Sequence, residues 1–235
     1  KVGGQYLFTK SDNYEDYSSG RVLYGATGAT NFPVRLASEI FQRAKYYLTE
    51  QGINSPYTIY DPFCGAAYSL TVLGLLLGAN IKSIYASDTD KNIIEIAKKN
   101  LSLLTQKGLD DRTKELKSLL DTYHKDSHKE ALESITKLTG YISDHKISIH
   151  TYLHNILQGT KSPVDLSLID LIITDVPYGK LAQWQGAKED INPAQQFLNN
   201  IKKSISPKAL IVMSINKKQE VTYEGYSKIK SFKIG

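Results

Sequence analysis

Three short, β-prone apolar runs in this chain each end at an aspartate: Tyr57 to Tyr60 at Asp61, Ile81 to Ala86 at Ser87-Asp88, and Leu168 to Thr174 at Asp175. Segments of helical character separate them. Tyr68 to Leu77 is almost wholly apolar and closes on Gly78, and Ile93 to Leu104 sets Ile93, Ile94, Ala97 and Leu101 on one side. A strand, a helix and a second strand in succession leave the two strands parallel. Right-handed crossovers then place helices on both faces of one open sheet. The pattern predicts an α/β, Rossmann-like fold with an open, mostly parallel sheet. Ligands of such sheets collect at the carboxyl ends of the strands, so the three aspartates mark where chemistry is expected.

The rest of the chain extends this scheme. Ile147 to His150, Ala209 to Ile215 and Lys228 to Ile234 read as further strands, with a helix over Ala194 to Ser204. Pro33 suits a helix start, and Leu36, Ile40, Ala44 and Tyr47 or Leu48 recur at helical spacing as far as Gly52, giving an N-terminal helix within residues 31–52. Two helical sets, Leu116, Leu120, Tyr123 and then Leu132, Ile135, Leu138, Ile142, predict a helical hairpin turning near Lys125 to Ser127. It forms an insertion over residues 106–145, between the second helix of the alternation and the third strand. Residues 1–30, rich in Gly, Ser, Asp, Asn and Tyr, read as an irregular arm rather than a packed unit. A length of 235 residues accommodates all of this in one domain, 1–235.

Several function classes drop out. The longest apolar stretch, Leu70 to Ala79, is about half of what crosses a bilayer, so no membrane span is expected. A single cysteine, Cys64, cannot form an internal disulfide, and the first residues lack a charged start followed by an apolar run. Both point to the cytoplasm. A formal charge of +5 permits a polyanionic partner without requiring one. The histidines His124, His128, His145, His150 and His154 include two i, i+4 pairs, but no cysteine or carboxylate completes a tetrahedral set, so they are assigned surface polar roles and no metal.

The first loop narrows the ligand. A glycine-bearing loop after the first strand, with an acid about 20 residues beyond it, suits a ribose whose hydroxyls the acid accepts; Gly65 and Asp88 stand in that relation. A dinucleotide needs Gly-x-Gly-x-x-Gly, and a P-loop needs a glycine-lysine pair; Cys64-Gly65-Ala66-Ala67-Tyr68 offers neither. The carboxylate of Asp61 would repel phosphate, whereas it suits a ligand carrying ammonium and sulfonium charges, which is S-adenosylmethionine (SAM).

At this level of detail the chain resembles a known group. Asp61-Pro62-Phe63-Cys64-Gly65 is similar to the first motif of class I SAM-dependent methyltransferases that act on nucleic acids, and Ser87-Asp88-Thr89-Asp90 to their second. Asp175-Val176-Pro177-Tyr178-Gly179 is similar to the signature of enzymes that methylate planar nitrogen, apart from Val176 in the second place. The span from Phe32-Pro33-Val34-Arg35-Leu36-Ala37 through these motifs to Trp184, roughly residues 30–220, resembles the avilamycin-resistance (AviRa-like) type of 23S ribosomal RNA guanine methyltransferase.

The resemblance implies roles. Asp61, Pro62, Cys64, Gly65, Ala67, Asp88, Thr89, Asn155 and Asp175 would contact SAM. Ala67 stands where the motif usually has its second glycine, and Asn155 where an acid often receives the adenine amino group; an Asn amide oxygen can accept the same bond. Asp175, Val176, Pro177 and Tyr178 would form the catalytic turn. Asp175 and the Val176 carbonyl would hold an exocyclic amine, or Asp175 would take a ring N–H proton, with Tyr178 stacking on the base. Arg35, Tyr178, Lys180 and Trp184 would meet 23S rRNA. Cys64 is expected to pack rather than act as a nucleophile. Other readings stay open: a DNA adenine or protein glutamine acceptor, or a catalytically silent RNA-binding domain. A nucleotide-dependent oxidoreductase is disfavoured by the first loop.

Overall fold

The computed structural model of the chain describes residues 6–26, 32–142, 146–176, 186, 192–215 and 221–231. Its elements run α1 (Val34–Glu50), β1 (Tyr57–Asp61), α2 (Tyr68–Leu77), β2 (Ile81–Asp88), α3 (Lys91–Ser102), α4 (Gln106–Tyr123), α5 (Asp126–Tyr141), β3 (Ser148–Leu153), β4 (Leu171–Asp175), α6 (Pro193–Ile201) and β5 (Leu210–Ser214). The five strands form one sheet in the order β3-β2-β1-β4-β5, with every pairing parallel. The order reverses between β1 and β4, so the crevice that parallel α/β sheets use for ligands opens beside the ends of these two strands. Asp61 and Asp175 terminate them.

Strand alternation divides the core. Tyr57 and Ile59 of β1, with Leu171 and Ile173 of β4, join the larger cluster formed with α1 to α5. Tyr60 and Ile172 face the smaller one, built with Phe197, Leu198 and Ile201 of α6. With helices on both faces, β1 is buried along its whole length, which is why it reads as a continuous apolar run. The hairpin turns at His124, which takes a left-handed conformation (φ 50°), immediately before Lys125.

Two expectations need correction. Residues 228–231 form no strand: Lys228, Ile229, Lys230 and Ser231 are all exposed and bury no apolar face that would fix a register. The lead-in is irregular, with one 3-10 turn at Glu15–Tyr17, but it is packed: Tyr17, Val22 and Leu23 are buried. Its main chain is held by charged groups far along the sequence. The buried carboxylate of Glu39 in α1 accepts from the backbone N–H of Leu7, Phe8 and Thr9 at 2.7, 2.9 and 3.0 Å, from the Thr9 hydroxyl, and from Arg43 Nε at 2.8 Å. Arg112 of α4, also buried, donates to the carbonyls of Val22 and Arg21.

Burial alone would raise the Glu39 carboxyl, but the Leu7 and Phe8 N–H groups, Arg43 and Thr9 together hold it at about 2. Because the folded value is depressed, its contribution is complete above about 4.5 and is lost as pH falls toward 2. Glu39→Gln keeps the shape but turns an amide donor toward groups that themselves donate. It is expected to destabilise the fold by about 3 kcal/mol near neutral pH, read as a lowered urea midpoint with an unchanged m-value.

Candidate active site

The turn after β1 is built almost entirely from main-chain bonds that close on the acids around it. Asp61 is 7% exposed, and its Oδ1 accepts both the Phe63 N–H (3.0 Å) and the Thr174 hydroxyl (2.6 Å). The Cys64 N–H donates to the Ser87 carbonyl, and the Gly65 N–H donates to Asp88 Oδ2 at 3.0 Å, tying the loop to the end of β2. Asp88 Oδ1 accepts the Asp90 N–H. Gly65 and Ala67 both lie in the left-handed region, at φ 51° and 54°. Glycine does so freely, while Ala67 bears about 1 kcal/mol of strain. Ala67 therefore holds a backbone conformation that suits the glycine expected at this place. Between the two, the Ala66 carbonyl accepts from Asn100 Nδ2 at 2.9 Å.

Asp175 is half-buried at the end of β4, paired in register with Ser214 of β5. Its Oδ1 is buried and has no hydrogen-bond partner among the described residues. Val176 is fully buried, and its N–H donates to the Ser214 carbonyl. Asp61, Asp88 and Asp175 thus stand at the tips of three neighbouring strands, and among the described residues none forms an ion pair. Burial lifts the Asp61 carboxyl to about 7; Thr174 and the Phe63 N–H oppose the rise, while the charges of Asp88 and Asp175 add to it. Burial also raises Asp175, with Ser214 acting the other way. The Cys64 thiol is pushed up by burial and then by Asp61 and Asp88, so it is protonated and packed.

A cavity of about 1130 Å³ is lined along β5 from Ala209 to Ile215, by α1 and by residues 225–231, and it takes in Thr174 and Asp175 at the end of β4 and Phe32 and Pro33 ahead of α1. The motif-like segment before α1 therefore shares a space with the end of β4, whereas Asp61 and Asp88 lie outside that lining. Arg35 does not line it either. Its Nη2 donates to the Thr9 carbonyl (3.0 Å), and its guanidinium lies 3.9 Å over the Tyr6 ring, so it anchors the lead-in. Asn155 follows β3, and its amide oxygen caps the 3-10 turn Ile156–Gln158 by accepting the Leu157 N–H. Pro62 lies in the loop and Thr89 just after Asp88. Pro177, Tyr178, Lys180 and Trp184 lie outside the described residues.

Three participants were not singled out from the sequence, and a fourth was placed on the surface. Thr174 is a hydroxyl in an otherwise aliphatic strand, and Asn100 is a polar residue on the buried face of α3, seven positions from Ile93; both patterns were visible signals. Ser214 carried none. His154, assigned to the surface, is instead buried. Its N–H pairs with the Asp88 carbonyl as β3 runs on beside β2, and burial lowers its imidazole, keeping it neutral.

Comparison with known proteins accords with this arrangement. The family model described as rRNA methyltransferase AviRa matches residues 4–235. A Streptomyces viridochromogenes protein named 23S rRNA (guanine(2535)-N(1))-methyltransferase is 32% identical over 226 residues, spanning 94% of this chain and 88% of that one. Two crystal structures of the rRNA methyltransferase aviRa from the same organism, at 1.5 and 2.4 Å, superpose with TM-scores of 0.78 and 0.77 at 30% identity, covering 90% of this chain and 86% of theirs. A parallel sheet in the order 3-2-1-4-5, carboxylates at three strand tips and a match over nearly the whole length lead to one assignment: the chain belongs to the AviRa family of rRNA methyltransferases.

Proposed function

We propose that this protein transfers the methyl group of SAM to N1 of a guanine in 23S rRNA, in the cytoplasm. The observation that carries the reading is the set of three carboxylates at the strand tips with no cationic partner among the described residues, two of them bound to the turn after β1. Such a site disfavours phosphate and favours a cationic donor. When bound, SAM supplies an electrophilic methyl group on a sulfonium. Asp61 would face its positive charge, Asp88 would accept from the ribose hydroxyls beside its bonds to Gly65 and Asp90, and Asn155 would meet the adenine amino group. The turn of Pro62, Cys64, Gly65 and Ala67, followed by Thr89, shapes the remaining contacts.

Asp175 does the proton work. Methyl transfer to N1 requires that nitrogen to lose its proton, and the Asp175 carboxylate would take it and pass it to solvent. A buried oxygen with no hydrogen-bond partner among the described residues and a pKa raised by burial make Asp175 a better base than a solvated aspartate. Val176 holds the turn against β5. The sequence offers Pro177 to stiffen it, Tyr178 as a face for the base, and Lys180 and Trp184 as RNA contacts. The target in the relative's name, guanine N1, favours the ring N–H over an exocyclic amine.

The test is transfer of labelled methyl from SAM to 23S rRNA, naked or in the large subunit, followed by reverse transcription. Methylation at N1 blocks the pairing edge, so a stop at one guanine is expected. Labelling of DNA or protein instead of RNA would overturn the reading. RNA affinity is also expected to fall by about tenfold or more between 50 and 200 mM salt; a flat response in a filter-binding titration would argue against a polyanionic substrate.

A further inference from the structure

We propose that Asn100 is a positioning residue for the cofactor loop, holding the turn from Gly65 to Tyr68 in its donor-binding shape by clamping it to the main chain of Tyr24. The inference rests on the methyl-donor reading above.

Asn100 is completely buried near the end of α3. Its carboxamide makes three bonds: Nδ2 donates to the Ala66 carbonyl (2.9 Å) and the Tyr24 carbonyl (3.0 Å), while Oδ1 accepts the Tyr24 N–H at 2.7 Å. The pair of bonds to Tyr24 copies what a neighbouring strand would make, and the remaining N–H reaches across to the loop. Ala66 is the residue that needs this. It sits between two residues in left-handed conformations, Gly65 and Ala67, where neither helix nor sheet orients its peptide. Around this bond the Gly65 N–H donates to Asp88, and the first turn of α2 starts directly after Ala67. A second tie points the same way: the Tyr68 hydroxyl donates to the Tyr17 carbonyl at 2.7 Å, so both ends of the turn are fastened to the lead-in.

The test compares Asn100→Ala with Glu39→Gln, which weakens the same lead-in upstream without touching the loop. The readouts are melting temperature, calorimetric Kd for SAM and for its demethylated product, and KM and kcat on 23S rRNA. Asn100→Ala is expected to raise Kd and KM for SAM by about tenfold, to raise Kd for the product to the same degree because the effect acts through loop shape rather than charge, and to leave kcat at saturating SAM within about threefold of wild type. Glu39→Gln is expected to melt earlier with both Kd values unchanged. Should Asn100→Ala fail to fold, Tyr68→Phe replaces it, with an expected rise in Kd of about threefold. A lower melting temperature with Kd within about twofold of wild type, or a fall in kcat with KM unchanged, would overturn the proposal. Failure of the wild-type protein to bind SAM or its product would instead overturn the methyl-donor reading underneath.

Discussion

Asp175→Ala is expected to reduce kcat on 23S rRNA by about a thousandfold while leaving SAM affinity within about threefold. The separation follows from where the side chain sits. Asp175 ends β4 and lines the cavity that also takes in β5, Phe32 and Pro33, whereas the turn proposed to receive the donor is held by Asp61 and Asp88. Its buried oxygen meets no donor among the described residues, so the carboxylate is available to the incoming base. Removing it takes away the proton acceptor and one orienting contact but no bond of the loop. Single-turnover rates with calorimetric Kd values check both halves. Turnover within about tenfold of wild type would remove Asp175 from the chemistry.

Asp61→Asn should move stability and affinity in opposite directions. Asn keeps an oxygen to accept from Thr174 and the Phe63 N–H but removes a charge buried beside two other carboxylates. The Asp61 carboxyl is raised from 3.8 to about 7, so the folded state holds its proton more tightly than the unfolded chain does. The protein without donor therefore gains stability from this group as pH falls below about 7 and carries a penalty above it, with ~4 kcal/mol as the upper bound. Asp61→Asn is expected to stabilise that form by about 1–3 kcal/mol at pH 8 and by little at pH 5. SAM affinity at pH 8 should fall by about thirtyfold or more, and affinity for the uncharged-sulfur product by less. In the wild type, SAM affinity should weaken as pH drops through 7. Urea titrations at the two pH values with parallel calorimetry decide this; equal losses for donor and product would show that Asp61 does not sense the positive charge.

The strands nearest the site were the most legible. β1 and β4 are buried on both faces, and their aliphatic runs end where the chain must bend, so Asp61 and Asp175 could be placed without a structure. β3 was harder: it lies at the sheet's edge among the described residues, half exposed, and its true span, Ser148–Leu153, mixes polar and aromatic side chains. The lead-in was misjudged for a different reason. Its order comes less from its own few apolar residues than from Glu39, Asn100 and Arg112 bonding to its main chain, and main-chain acceptors leave no mark on a sequence. The same applies to the loop clamp, whose partners stand 34 and 76 residues from Asn100. Arg35, in the motif-like segment, bonds to the Thr9 carbonyl and lies over the Tyr6 ring, partners that no motif marks.

The α4–α5 hairpin is stitched to the lead-in by Arg112 to Val22, Ser134 to Asp16 and Arg21 to Glu130, contacts that bridge 90, 118 and 109 positions. Such long closures reward the chain only late in folding, and hydrogen exchange would read the two segments as one cooperative block that opens before the sheet does. A molecule caught in that opened form would keep its strands intact yet lose one end of the brace on its binding turn, so donor capture and global unfolding need not share a midpoint.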